Sequence, residues 1–103
     1  DMVIRGGENI ACPEVENAIY DHPDVLEASV FGIPDQRLGE ILCSAVVLRE
    51  GSKLNKDDLV NFLSDKLAAF KIPALIKFMD SNLPRVASGK FDKPALREMF
   101  ISK

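Results

Sequence analysis

The chain opens with an apolar stretch, Met2 to Arg5, that stops at Gly6-Gly7-Glu8-Asn9. Paired glycines supply the positive φ angles of a tight reversal, so Ile10 and Ala11 are expected to run back as the second arm of a hairpin. Pro13 suits the first position of a helix, where its missing N–H costs nothing, and Val15, Ala18 and Ile19 follow at helical spacing until Asp21-His22-Pro23 ends it. Val25 to Gly32 and Ile41 to Arg49 are rich in β-branched and apolar residues and are predicted as strands. The segment between them, Asp35 to Glu40, is polar and punctuated. Asn55 is placed to cap a second helix whose first turn holds Asp57 and Asp58. Leu54 and Leu59 can staple that end, and Leu59, Phe62, Leu63 and Leu67 line one face. Ala74 to Asp80 alternates as a third strand, and Asp92-Lys93-Pro94 opens a last helix carrying Leu96, Met99 and Phe100. The order predicts an α+β fold: a small antiparallel or mixed sheet of about three strands with packed helices, plus an N-terminal β-hairpin.

Composition narrows the function classes. With 103 residues, 47% hydrophobic and 28% charged, the chain is a single small globular domain, better suited to one lobe of a larger enzyme than to housing a deep pocket. Thirteen Lys and Arg against sixteen Asp and Glu give a net charge of −3, and no basic stripe marks a nucleic-acid surface. No apolar run is long enough to span a membrane, and the start carries no signal-peptide pattern. Cys12 and Cys43 form no CxxC pair and the single histidine, His22, completes no metal cluster, so two reduced thiols and a cytoplasmic setting are expected. The abrupt opening on Asp1-Met2-Val3-Ile4, inside a strand pattern, is expected of a fragment.

Few residues offer chemistry on their own. His22 lacks a nucleophile partner and sits at a helix end before a proline, where a surface or capping role is the ordinary one. Glu14 and Glu16, like Asp57 and Asp58, lie on predicted helix faces and are expected to be solvated. The unusual segment is Leu83-Pro84-Arg85-Val86-Ala87-Ser88-Gly89-Lys90. A phosphate loop would need a glycine where Pro84 stands and a hydroxyl where Phe91 stands, so that reading fails. What is left is a flexible ammonium, Lys90, either a solvated surface lysine or a group suited to neutralising phosphate or carboxylate charge brought from outside. Gly6-Gly7-Glu8-Asn9 is equally open to two readings: a plain hairpin turn, or bare backbone past which an extended ligand can run. Asp35 to Glu40 reads as a capped turn with Gly39 in the left-handed region.

Four segments, in order, resemble motifs of the C-terminal domain of the adenylate-forming acyl-CoA synthetases. They are Asp1 to Ile10 with Pro13-Glu14-Val15-Glu16, Pro34-Asp35 with Gly39-Glu40, Phe70-Lys71-Ile72-Pro73, and Leu83-Pro84-Arg85 with Ser88-Gly89-Lys90. The resemblance spans nearly all of residues 1–103 and implies a mobile lid on a large N-terminal domain that is absent here. It implies a two-step reaction: ATP, with its Mg2+ bound mainly by that domain, and a carboxylic acid give an acyl-adenylate and pyrophosphate, and the CoA thiol then displaces AMP. Lys90, supported by Gly89, matches the lysine that bridges carboxylate and α-phosphate in the first step. Gly6, Gly7, Glu8 and Asn9 match the loop presented to the pantetheine tunnel after the lid rotates. This chain alone is expected to be inactive.

Two other readings stand beside this one. Non-CoA relatives, the luciferases and peptide-synthetase adenylation domains, share the Lys90 loop. A module of another class would be a free-standing α+β binding or dimerisation domain that uses a sheet edge and performs no chemistry.

Overall fold

The computed structural model describes residues 1–102. The order is β1 (Met2–Arg5), β2 (Glu8–Ala11), α1 (Cys12–Tyr20), β3 (Val25–Asp35), β4 (Gly39–Leu48), α2 (Lys56–Ser64), a 3-10 turn (Ala69–Lys71), β5 (Leu75–Phe78) and α3 (Lys93–Ile101). The α+β expectation holds, with a sheet of five strands where about three were expected. The difference lies in the hairpin: Arg5 pairs with Gly39, so β1 and β2 extend the sheet instead of standing apart, in the order β2-β1-β4-β3. On its other half the same side of β4 takes β5 in parallel, from Cys43↔Leu75 to Val46↔Phe78, which makes the sheet mixed.

The long β3–β4 pair is buried on both faces. On one lie Ala28, Val30, Leu42 and Val46, packed with Val15 and Ile19 of α1 and Leu59 and Leu63 of α2. On the other lie Phe31, Ile33, Cys43, Ala45 and Val47, packed with Leu96 and Phe100 of α3, where Phe31 and Phe100 meet edge to face at 4.9 Å. A strand covered on both faces needs apolar residues almost throughout, which explains the Ile41–Leu48 run, interrupted only by Ser44.

The caps follow the sequence. Asn55 accepts from the Asp58 N–H at 2.8 Å and Asp92 from the Ala95 N–H at 3.1 Å. Several bounds differ from expectation. β3 runs on through Pro34, which the sheet tolerates because β3 is an edge strand and proline removes no ladder bond there. Glu8 and Asn9 belong to β2, leaving Gly6-Gly7 as a two-residue turn with φ of 55° and 86°. Met99, expected on the packed face of α3, is 47% exposed.

The free edge of β3 is closed by side chains. Tyr20 Oη accepts from the Ala28 N–H at 2.9 Å, Glu16 from the Val30 N–H at 2.8 Å, and Arg97 Nε donates to the Gly32 carbonyl at 3.1 Å. Backbone groups satisfied in this way are no template for another strand. Glu16 is therefore not the solvated helix carboxylate expected, because its second partner is the Lys93 ammonium at 3.1 Å.

Ser29 and Ser44 are fully buried, and neither hydroxyl has a hydrogen-bond partner. Ser44→Ala removes an unsatisfied polar group at little loss of volume, so a gain of about 1 kcal/mol is expected. In a chain of this size that raises Tm by roughly 4–8 °C in a thermal melt. A fall in Tm would mean that the hydroxyl is hydrogen-bonded in solution.

Candidate functional site

Two exposed glycine-bearing loops sit at opposite ends of β4. The Gly6-Gly7 turn is held at the Gly39 end. Asp35 accepts from the N–H groups of Arg37 and Leu38 at 3.1 and 2.8 Å, shaping the β3–β4 turn, and the Leu38 carbonyl accepts from the Gly6 N–H at 2.8 Å. Glu40 reaches back to the Ile4 N–H at 2.9 Å. The Pro34-Asp35 and Gly39-Glu40 pairs thus form the platform on which the glycine turn rests. Gly39 has φ of 85°, as the capped-turn reading expects. Gly6 and Gly7 differ in kind. A Cβ on Gly6 would meet Leu38 Cδ2 at 3.1 Å, whereas a Cβ on Gly7 would meet nothing within 4 Å. Both are exposed, as are Glu8 and Asn9 at the start of β2.

The loop that carries Lys90 is tied to the other end. Arg85 and Phe91 form an antiparallel bridge, the Val86 N–H donates to the Lys90 carbonyl at 2.8 Å, and the Gly89 N–H donates to Val86 at 2.9 Å. The reversal is completed by Gly89, with φ of 92° and open space where a Cβ would stand, so glycine serves conformation there and not clearance. Lys90 points from this turn as an exposed side chain, and among the described residues no carboxylate lies within ion-pair distance of its ammonium. The helix that follows is moored by Lys93, which bridges Glu16 and Asp1.

Glu27 anchors this loop and pairs in register with Val47 on β4. Its carboxylate accepts from the Leu83 N–H at 2.8 Å and from Arg85 at 3.2 Å. The two anchor points, Gly39 and Val47, are eight residues apart on β4, about 26 Å at about 3.3 Å per residue. The structure therefore does not bring Lys90 and Gly6-Gly7 together; it separates them along one rigid strand pair.

Glu27 and the Glu40–Ile4 clamp were missed from the sequence. The available signal was a lone carboxylate in the apolar stretch Val25–Gly32, because a charge among core residues needs a partner. The Phe70-Lys71-Ile72-Pro73 segment forms the 3-10 turn before β5, and Lys71 pairs with Glu14 at 2.9 Å.

Other chemistry is scarce. Cys12 and Cys43 are free and buried, and burial pushes both thiols up, Cys43 to about 11, so neither supplies a thiolate nucleophile at neutral pH. His22 accepts from the Asp24 N–H at 3.0 Å, which orders the turn after α1, and packs edge-on against Phe62, a structural role and not a catalytic one. Among the described residues no group of three or more His, Cys, Asp or Glu could hold a metal ion, no pocket is enclosed, and no helix is long and apolar enough to cross a membrane.

The family model for the AMP-binding enzyme C-terminal domain matches residues 14–90, ending on Lys90. The chain is 40% identical over 100 residues to the oxalate–CoA ligase of Saccharomyces cerevisiae, covering 97% of this chain and 18% of that protein. Among solved structures it superposes on apo MatB from Rhodopseudomonas palustris with a TM-score of 0.92 and 36% identity, over 99% of this chain and 20% of that one. The amide bond synthetase McbA from Marinactinospora thermotolerans follows at 0.91 and 34%, over 97% and 20%. The chain thus spans about a fifth of the length of these relatives. With the family match across residues 14–90 and a shared fold over almost all of its length, the chain belongs to the AMP-binding enzyme C-terminal domain family.

Proposed function

We propose that residues 1–103, of which Lys103 lies outside the described residues, are the mobile C-terminal lid of an ATP-dependent acyl-CoA synthetase, working against a large N-terminal domain of the same polypeptide. The observation that carries this reading is the pair of exposed loops at opposite ends of β4: on one an exposed ammonium with no ion-pair partner among the described residues, on the other bare glycine backbone. A single rigid body with two dissimilar ends serves two chemical steps by turning. In the first step a carboxylate oxygen of the acid attacks the α-phosphorus of ATP, and the bond from that phosphorus to the pyrophosphate oxygen breaks. Lys90, beside the two approaching anions, reduces their repulsion and stabilises the charge gathering on the phosphate oxygens. In the second step the CoA sulfur attacks the acyl carbon, AMP leaves with the bonding electron pair, and the thiol proton is released. The Gly6-Gly7 turn, with Glu8 and Asn9 beside it, then lines the path of the thiol arm, and the absence of side chains at the glycines keeps that path open.

ATP, CoA and the carboxylic acid are substrates in this reading, with their pockets in the large domain. Mg2+ would accompany ATP, and no residue of this chain is assigned to it. Two free thiols suit a reducing compartment such as the cytoplasm.

The match to an amide bond synthetase keeps a second acceptor in view, since the lysine step is indifferent to what later takes the acyl group. One experiment separates the readings. The polypeptide carrying this chain with its large domain is assayed for acid-dependent pyrophosphate exchange and for acyl-CoA formation. Both activities are expected. Exchange without thioester would assign a non-CoA acceptor, and neither activity with any acid would favour a binding module.

A further inference from the structure

Lys90 owes its position to a chain of contacts that begins at Glu27 on β3, where the pairing with β4 shifts register between Val25 and Glu27. Glu27 Oε1 accepts from the Leu83 N–H at 2.8 Å and Oε2 from Arg85 Nη2 at 3.2 Å. Arg85 spends its other terminal nitrogen, Nη1, on the Gly89 carbonyl at 2.6 Å and lays its guanidinium over the Phe91 ring at 4.3 Å. Glu27 therefore fixes Arg85, and Arg85 fixes the peptide immediately before Lys90 from one side and Phe91 immediately after it from the other. The Glu27 side chain is only 13% exposed while that of Arg85 is 48% exposed. The brace is thus rooted in the sheet and ends in solvent.

We propose that Glu27 is a positioning residue for the adenylation step, acting through Arg85 to hold the Lys90 turn in the geometry that meets the α-phosphate. This rests on the reading of Lys90 given above and adds to it the part of the fold that aims the lysine. A half-exposed ion pair contributes little to stability, so the value of the brace is in restricting where the ammonium goes. Charge-assisted bonds are short and directional, and a misplacement of about 1 Å at a reacting group can cost about 100-fold in rate. The glycine turn is tied to Gly39, Leu38 and Glu40 and shares none of these contacts, so the second step is independent of Glu27.

The test uses the polypeptide that includes the large domain, with Glu27→Gln, Arg85→Met and the pair combined. Glu27→Gln keeps an oxygen for the Leu83 N–H and removes the charge that holds Arg85. Pyrophosphate exchange is expected to fall about 10- to 100-fold in kcat, with the KM for ATP little changed. Transfer of a preformed acyl-adenylate to CoA is expected to stay within about twofold, and the double variant to lose no more than the worse single one, because both act along one chain of contacts. Equal losses in the two half-reactions, or additive losses in the double variant, would overturn the proposal by reducing Glu27 to a fold residue. Lys90→Ala measured alongside separates the two levels. Exchange lost there but intact in Glu27→Gln and Arg85→Met removes the brace alone, whereas exchange intact in Lys90→Ala removes the reading on which the brace depends.

Discussion

Lys90→Ala is expected to lower acid-dependent pyrophosphate exchange by about 100- to 1000-fold, the usual loss on removing one preorganised charge aimed at a developing anion. The same variant is expected to transfer a preformed acyl-adenylate to CoA at close to the unsubstituted rate. The split follows from the fold: Lys90 stands on a loop anchored beside Val47, and the thiol path is assigned to a turn anchored at Gly39, at the far end of the same strand. Nothing in the core depends on the lysine, whose side chain is exposed and whose backbone contacts are made by its carbonyl. Tm is therefore expected to be unchanged, which keeps a loss of activity from being read as a loss of fold. Lys90→Arg is expected to recover little, since a planar guanidinium does not reproduce a compact ammonium placed between two anions. Exchange that survived in Lys90→Ala would return the residue to the rank of a surface lysine.

The parts of this domain that were legible in the sequence are those dictated locally. Asn55 and Asp92 announced their helices because a side-chain acceptor must sit just before unsatisfied N–H groups, and both make that bond. The paired glycines announced the hairpin because few other residues adopt φ of 55° and 86° in succession. What was not legible is what arises only when distant segments meet. The joining of the hairpin to the sheet depends on the Arg5↔Gly39 pairing and the Glu40–Ile4 bond, which link residues more than thirty positions apart. Glu16 looked like a solvated helix residue because periodicity places it away from the Val15–Ile19 stripe, yet the exposed edge of β3 recruits it. The same limit applies to the site. Gly89 and Lys90 stand out as a local pattern, whereas Glu27 takes its role from Leu83 and Arg85, which the chain delivers only after β4, α2, the 3-10 turn and β5 have intervened.

Gly7→Asn is expected to give the opposite split. Asparagine is among the few side-chain-bearing residues that adopt positive φ readily, and the φ of 86° with no atom within 4 Å of a Cβ leaves room for it, so the hairpin is expected to lose no more than about 1 kcal/mol. The new side chain projects from the exposed face of the turn, where the proposal places the thiol arm. Acyl transfer to CoA is therefore expected to fall at least about tenfold, a barrier rise of about 1.4 kcal/mol, with pyrophosphate exchange within about twofold of the unsubstituted protein. Gly6 supplies the internal control, because a Cβ there meets Leu38 at 3.1 Å and strains the platform beneath the turn. Gly6→Ala is accordingly expected to lower Tm as well as transfer, whereas Gly7→Asn lowers transfer with a small change in Tm. If Gly7→Asn left transfer untouched, the thiol would have to travel elsewhere; if it reduced both half-reactions alike, the glycine would be serving the hairpin alone. Paired with Lys90→Ala, the two variants ask whether one strand pair carries two chemistries on its two ends, and reciprocal losses are the result that a turning lid requires.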